Sequence, residues 1–317
     1  MQPSEVDAIR DELARLYTEV QTHQIAELER IAGDPNQHRY RARLTEQGKA
    51  VTQALDEVDV QAQQWASRRL PEVYQLGAME AAAQTAKPFS WTEIHRDAVT
   101  ELATDTYGDL LKATRYVRRD VRDFIRRAAR ERAAFVIIGG ETSTQAGRRL
   151  AKLLEDRRVA AIRYANGSRH TLGDYSDTVL RTKVAMAHVM GSINASREAG
   201  VRYMMCSDGA ACSLYSHTDG PLASGLVAPI EVAQAYPLSH PRCARSWSPM
   251  PLVKTPAEAR AAMTVPEEER QALAAAERER AKVRTVQGRL TARERQRRER
   301  LRARNARLAA RQRRLTR

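Results

Sequence analysis

The sequence predicts a mainly α protein, with long N-terminal helices, a small α+β module in the middle and a basic C-terminal helix. Three observations predict it. Apolar residues recur at helical spacing through long stretches on either side of residues 164–249. Inside that stretch lie all three cysteines, four of the seven histidines and most of the turn-forming residues. The net charge of +14 gathers at one end: from Lys254 onward there are 20 Lys and Arg against 8 Glu, and the last thirty residues hold 13 Arg against 2 Glu. The segments are drawn at 1–133 (helical arm), 134–250 (α+β module) and 251–317 (linker and basic helical tail). Aromatic residues make up only 5% of the chain. Little apolar area is available per residue, so elongated helices around a small core are expected.

Ser4 opens the first helix as a cap, and Val6, Ile9, Leu13, Leu16 and Val20 form its apolar stripe. Gly33-Asp-Pro35 ends it. A second helix runs from the forties to about Ala86 with Leu44, Val51, Leu55, Val58 and Trp65, and Pro71 is expected to kink or divide it. Ser90 is placed to cap a third, reaching about Ala133, with Glu93 as its reciprocal partner. The arginines of that helix, Arg115 to Arg130, read as a solvated charged face. Nothing catalytic is visible before residue 134.

Phe135-Val-Ile-Ile-Gly-Gly140 has the outline of a strand entering a phosphate loop, but Glu141-Thr-Ser-Thr144 follows where a Lys-Ser or Lys-Thr pair is needed. It reads as a turn, with Thr142 or Ser143 capping a helix to Asp156. Asn166-Gly167 is a hairpin signal between Val159–Tyr164 and Arg169–Leu172. Asp174 is placed to cap a helix from Tyr175 to Ala199, closed by Gly200, and Val201–Met205 is the next strand.

Sulfur and imidazole then cluster. Cys212, His217, His240 and Cys243, with Cys206 as a possible substitute, have the ligand types zinc prefers, two from one loop and two from another. Two other chemistries fit the same residues: buried structural cysteines with histidines bonded to loop carbonyls, or a Cys-His nucleophile pair. No oxyanion hole or orienting third group accompanies such a pair, so no complete active site is read.

Several motifs follow in order: Tyr164-Ala-Asn-Gly-Ser-Arg169, Tyr175 with Arg181-Thr182, Asp208 and Cys212, Asp219-Gly220, and Pro237-Leu-Ser-His-Pro-Arg-Cys243. Over residues 139–249 the chain resembles the phage head morphogenesis proteins, the MuF-like minor capsid family with its minor capsid protein 2 group. Two departures stand out. The closing Cys-Arg of the family is spread over Cys243-Ala-Arg245, and Ser213–Tyr215 follow Cys212 where a second cysteine is usual. The resemblance implies a structural, non-enzymatic minor protein of a tailed-phage head, made in the host cytoplasm and lying inside the capsid near the portal. It implies the portal protein as partner, and major capsid or scaffolding protein as further contacts. A metal-dependent or thiol enzyme, or a toxin-like effector centred on the Cys/His loops, is the alternative.

Thr264-Val-Pro-Glu-Glu-Glu-Arg270 marks a helix start, with proline in the first turn and glutamates at the positive end of the dipole. Leu301, Leu308 and Leu315 make a thin seam in the tail. Arg289, Arg293, Arg295, Arg297, Arg298, Arg300, Arg302, Arg304, Arg307, Arg311, Arg313 and Arg314 are the expected phosphate contacts to double-stranded DNA. With almost no aromatics to stack on bases, this binding is expected to be non-specific. No run of about 18 apolar residues is present, so no membrane partner is expected. The N-terminus also lacks the order of a signal peptide.

Overall fold

The computed structural model describes residues 3–34, 39–137, 141, 142, 144–146, 148, 149, 162, 163, 169–208, 223–265, 271 and 275. The chain divides into two compact units, 1–263 and 264–317. The first is mostly helical with a small antiparallel sheet, as the composition predicts. Of the second, Gln271 and Ala275 are helical, and every arginine from Arg289 to Arg314 lies outside the described residues.

Helix α1 (Pro3–Glu19) runs into α2 (Ala26–Gly33) through a π-helical turn, Val20–Ile25. The sequence suggests one uninterrupted α-helix, and the π turn has a packing reason. Tyr17, Val20, Ile25 and Leu28 are all buried, and the spacing of five between Val20 and Ile25 fits only if the turn is widened. The Gln47 side chain donates to the Gln24 carbonyl inside that turn, at 2.9 Å.

Helix α3 (Tyr40–Thr85) is 46 residues, about 69 Å long. Pro71 does not divide it. The carbonyl deprived of its helical donor belongs to Ser67, an exposed residue on the solvent side of the helix, where a missing bond costs least. Ala86 closes the helix in the left-handed conformation.

Helix α4 (Glu93–Ile137) returns alongside. Its first bond is Arg96 N–H to the Thr92 carbonyl, so Thr92 takes the cap position expected for Ser90. It also continues past Ala133, taking Phe135 to Ile137 into helix where a turn was expected. Thr142 does cap the next turn: its Oγ1 accepts from Gln145 N–H, and Gln145 Oε1 accepts from Thr142 N–H.

Strands β1 (Ile162–Arg163) and β2 (Arg169–His170) pair antiparallel on either side of Asn166-Gly167. Helix α5 (Leu172–Glu198) begins earlier than expected, because Thr171 is its cap and Asp174 sits three residues into it. Thr171 Oγ1 accepts from Asp174 N–H at 3.1 Å.

Small residues decide where α5 lies. A Cβ on Gly77 of α3 would stand 1.9 Å from the His188 carbonyl oxygen, and one on Gly191 would stand 2.0 Å from that of Tyr74. Backbone therefore meets backbone, and the small residues Ser192, Ala195 and Ser196 are buried beside the crossing. The weakly apolar, alanine-rich character of these helices is what lets them approach so closely.

The sheet has the order β4 (Val227–Pro229), β3 (Tyr203–Ser207), β5 (Ser246–Pro249), all antiparallel. β3 starts two residues later than Val201. β5 carries no strand signal in the sequence, because its alternation is only four residues long and ends on Pro249. Met204 and Cys206 point from β3 into a core with Val189, Ile193, Ile230 and Trp247, while Met205 lies with Val227 and Val253 on the other face. Ser192 Oγ ties α5 to the sheet by donating to the Trp247 carbonyl at 3.0 Å. Two short helices follow these strands. α6 (Ile230–Ala235) comes after β4, and α7 (Pro256–Ala262) stands in the expected linker, closed by a Thr255–Glu258 capping box. Among the described residues, no helix is long and apolar enough to cross a membrane.

Candidate functional site

The end of β3 and the start of β5 bring the sequence-flagged residues together. Cys206 is the register partner of Trp247, which places Asp208 beside Arg245. Arg245 Nε and Nη2 donate to the two Asp208 carboxylate oxygens at 2.6 and 2.8 Å, and both side chains are fully buried. Nη1 reaches the Tyr236 carbonyl at 3.4 Å, and that same carbonyl accepts from Trp247 Nε1 at 3.2 Å. Burial works against the guanidinium charge, but the hydrogen bond to Asp208, together with the electrostatic attraction of Asp208 and the two cysteines, outweighs it and the Arg245 pKa is raised. Ser224 completes the surround, its Oγ accepting from Asp208 N–H at 2.9 Å. The Cys-Ala-Arg spacing of residues 243–245 thus buries the arginine against Asp208.

Cys206 behaves as a buried thiol. Its Sγ donates weakly to Asp208 at 3.7 Å, and burial, followed by the Asp208 charge, pushes its pKa up. Cys243 is also buried and accepts from Ser239 N–H at 3.4 Å. His240 is half-exposed, and its Nδ1–H donates to the Pro241 carbonyl at 2.7 Å. Arg245 interacts electrostatically with both Cys206 and Cys243. Cys212 and His217 lie outside the described residues. Among the described residues, no group of three or more His, Cys, Asp or Glu is placed to hold a metal ion.

The loop that carries Pro237–Cys243 is pinned to α5. Arg242 adopts a left-handed conformation with φ of 61°. Its N–H donates to Thr182 Oγ1 at 3.1 Å, and its guanidinium meets Asp177 at 2.8 Å. Arg181 bonds the same carboxylate at 3.0 Å.

A second constellation was not read from sequence. Asn194 Nδ2 donates to the Tyr74 hydroxyl at 2.8 Å, the hydroxyl meets His95 Nδ1 at 2.7 Å, and His95 Nε2 meets Glu198 Oε2 at 3.0 Å. Because Tyr74 already accepts from Asn194, its proton is best placed on His95 Nδ1, which leaves the imidazole proton on Nε2, donated to Glu198. Thr92 Oγ1 donates to the other Glu198 oxygen, and Lys87 Nζ to its carbonyl. Burial pushes the Tyr74 pKa up to about 12. Burial would also raise that of Glu198, but hydrogen bonds from Thr92 and His95 outweigh it and set the pKa below the ordinary value. Phe89 and Trp91 enclose the imidazole, with ring centroids 5.0 and 6.5 Å away. Tyr74, His95 and Glu198 belong to three different helices, so no local spacing could have flagged them. The aromatic pair beside His95 was the only local signal.

Fold and site together define a helical scaffold carrying a small three-stranded sheet, knit by buried polar contacts. Set against protein-family models, curated proteins and solved structures, the chain matches none of them.

Proposed function

We propose that this chain is a minor structural protein of a tailed-phage head, acting beside the portal in head assembly, DNA packaging or ejection. The observation that carries the proposal is spatial. Residues quoted as motifs from distant parts of the sequence meet: Thr182 with Arg242, and Asp208 with Arg245. Three further features support it. The helical scaffold offers long surfaces for protein contacts, the site's polar groups are spent on holding one another, and the charge sits in residues 254–317. The tail from Arg289 to Arg314 contacts packaged duplex DNA through phosphates, without sequence preference. A structural zinc at Cys212, His217, His240 and Cys243 belongs to the same proposal. Elemental analysis of the full chain tests that part: stoichiometric zinc is expected, and a metal-free protein removes it.

Cryo-EM of virions containing this chain tests the main proposal. Density for α3, α4 and α5 against the portal is expected. A particle carrying the chain on its outer shell, away from the portal, would overturn the proposal.

A further inference from the structure

Helix α4 presents arginines in a regular row. Arg115, Arg119, Arg122, Arg126 and Arg130 are all exposed, at spacings of four, three, four and four residues. Each stands two residues before a buried one: Val117, Val121, Phe124, Ala128 and Arg132. Two residues turn an α-helix through about 200°, so the row lies on the side of the helix turned from the core, with Arg126 and Arg130 at the edge of a groove that Tyr40, Arg41 and Ile125 also line. It is about 22 Å long, with neighbouring side chains about 5–6 Å apart.

The row is largely uncompensated. Among the described residues, only Arg126 of the five has a carboxylate within ion-pair distance, Asp123 at 3.8 Å. Asp56 and Asp59 of α3 pair with Arg118, which lies off the row. Intrahelical contacts also orient the guanidinium groups. Arg122 Nε donates to the Arg118 carbonyl, Arg130 Nε donates to the Arg126 carbonyl, and Arg119 lies over the Tyr116 ring at 5.2 Å. These contacts use Nε or the guanidinium face and leave the terminal amino groups of Arg122 and Arg130 to a partner.

We infer that this row is a second nucleic-acid surface, one that holds the phosphate backbone of double-stranded DNA and is built into the folded unit independently of the tail. Planar guanidinium forks suit phosphate oxygens bidentately. Phosphates recur about every 3.4 Å of duplex axis on each strand while both strands wind around it, so a straight row about 22 Å long meets phosphates of the two strands in turn. An acidic protein partner would look for an aromatic or aliphatic anchor, and an anionic bilayer for an apolar face; the row itself contains neither. With no base-reading side chain in it, the surface is indifferent to sequence.

The test uses the full chain and a mixed-sequence DNA duplex, with affinity followed by fluorescence anisotropy over a salt series. Replacing all five arginines with glutamine should make the slope of log K against log salt shallower by about 3–5, each lost phosphate contact being worth about 0.9. A control with Arg30, Arg43, Arg68, Arg197 and Arg202 replaced, an equal loss of exposed charge, should change it by less than about 1. Circular dichroism should show unchanged helix in both. A five-glutamine slope equal to wild type, or a control that lowers it as much, overturns the inference. A third protein separates this surface from the tail. With the arginines from Arg289 to Arg314 replaced, salt-dependent binding should persist and vanish once the row is replaced too. Loss of all binding on tail replacement alone overturns the row and leaves the tail's role standing, whereas no change on tail replacement overturns the tail's role alone.

Discussion

Asp208 and Arg245 lie 37 residues apart in sequence and close on each other through two charge-assisted hydrogen bonds in a fully buried pocket. The pair locks the strand that leaves α5 to the strand that closes the sheet. Its geometry is bidentate, Arg245 Nη1 also reaches the Tyr236 carbonyl, and Ser224 Oγ accepts from the Asp208 backbone N–H.

Removing one member should cost far more than the pair is worth. Arg245→Met leaves a buried carboxylate alone, and a loss of about 3–5 kcal/mol is expected by urea denaturation. Asp208→Asn should lose a similar amount. The double variant Asp208→Leu with Arg245→Met should recover much of that loss, because neither charge is then left unpaired. A double variant as unstable as either single would show that the pair contributes net stability beyond its own desolvation, and one as unstable as the sum of the singles would show that the two side chains are not coupled.

Two glycines give opposite expectations from the same substitution. Gly77→Ala drives a methyl into the His188 carbonyl, a backbone atom that can move only if α5 moves, so the melting temperature should fall steeply. Gly108 lies inside α4 with open space around its Cβ position, and Gly108→Ala should stabilise by about 0.5–1 kcal/mol. Thermal melts of the two variants side by side check this. A neutral Gly77→Ala would mean the α3–α5 crossing is wider than 1.9 Å implies.

That contrast also shows what the sequence could and could not reveal. Periodicity and caps are local, so the helix around Leu44 to Trp65, the Asn166-Gly167 hairpin and the Gly200 stop could be read directly. The π turn was hidden, because its cause is the tertiary need to bury both Val20 and Ile25. β5 was missed because four residues ending in proline carry too little alternation. At the site, Asp208, Cys243 and the closing arginine could be named individually, but their pairing depends on strand register, which no single stretch encodes. The Tyr74–His95–Glu198 chain depends on Gly77 and Gly191 bringing two helices into contact, so it could be found only in three dimensions.

Cys206 and Cys243 should be silent until the protein unfolds. Cys206 is buried with its thiol pKa pushed up, and Cys243 is buried with its sulfur accepting a backbone hydrogen bond. Iodoacetamide at mildly alkaline pH should leave both unmodified in the native protein and label both in guanidinium, read by peptide mass. Rapid native labelling of Cys206 would contradict the packing of β3 against α5.

The Glu198 carboxylate should give the fold an acid-sensitive component. Its pKa is lowered in the folded protein, so its contribution is fully present above the unfolded carboxylate range and disappears as pH falls through the lower folded value. Glu198→Gln keeps the shape but removes the charge that Thr92 and His95 bond to. At pH 7 the wild type should be the more stable by about 1–2 kcal/mol, and the gap should close on acidification below about pH 4. Tyr74→Phe should destabilise the protein by a similar amount but with no such acid dependence, since it leaves the carboxylate and its donors in place while orphaning His95 Nδ1 and the Asn194 amide. Urea titrations of the three proteins from pH 3 to 8 measure all of this. A Glu198→Gln deficit that stays constant across the range would mean the carboxylate titrates alike folded and unfolded, and that the His95 contact is one of packing, not charge.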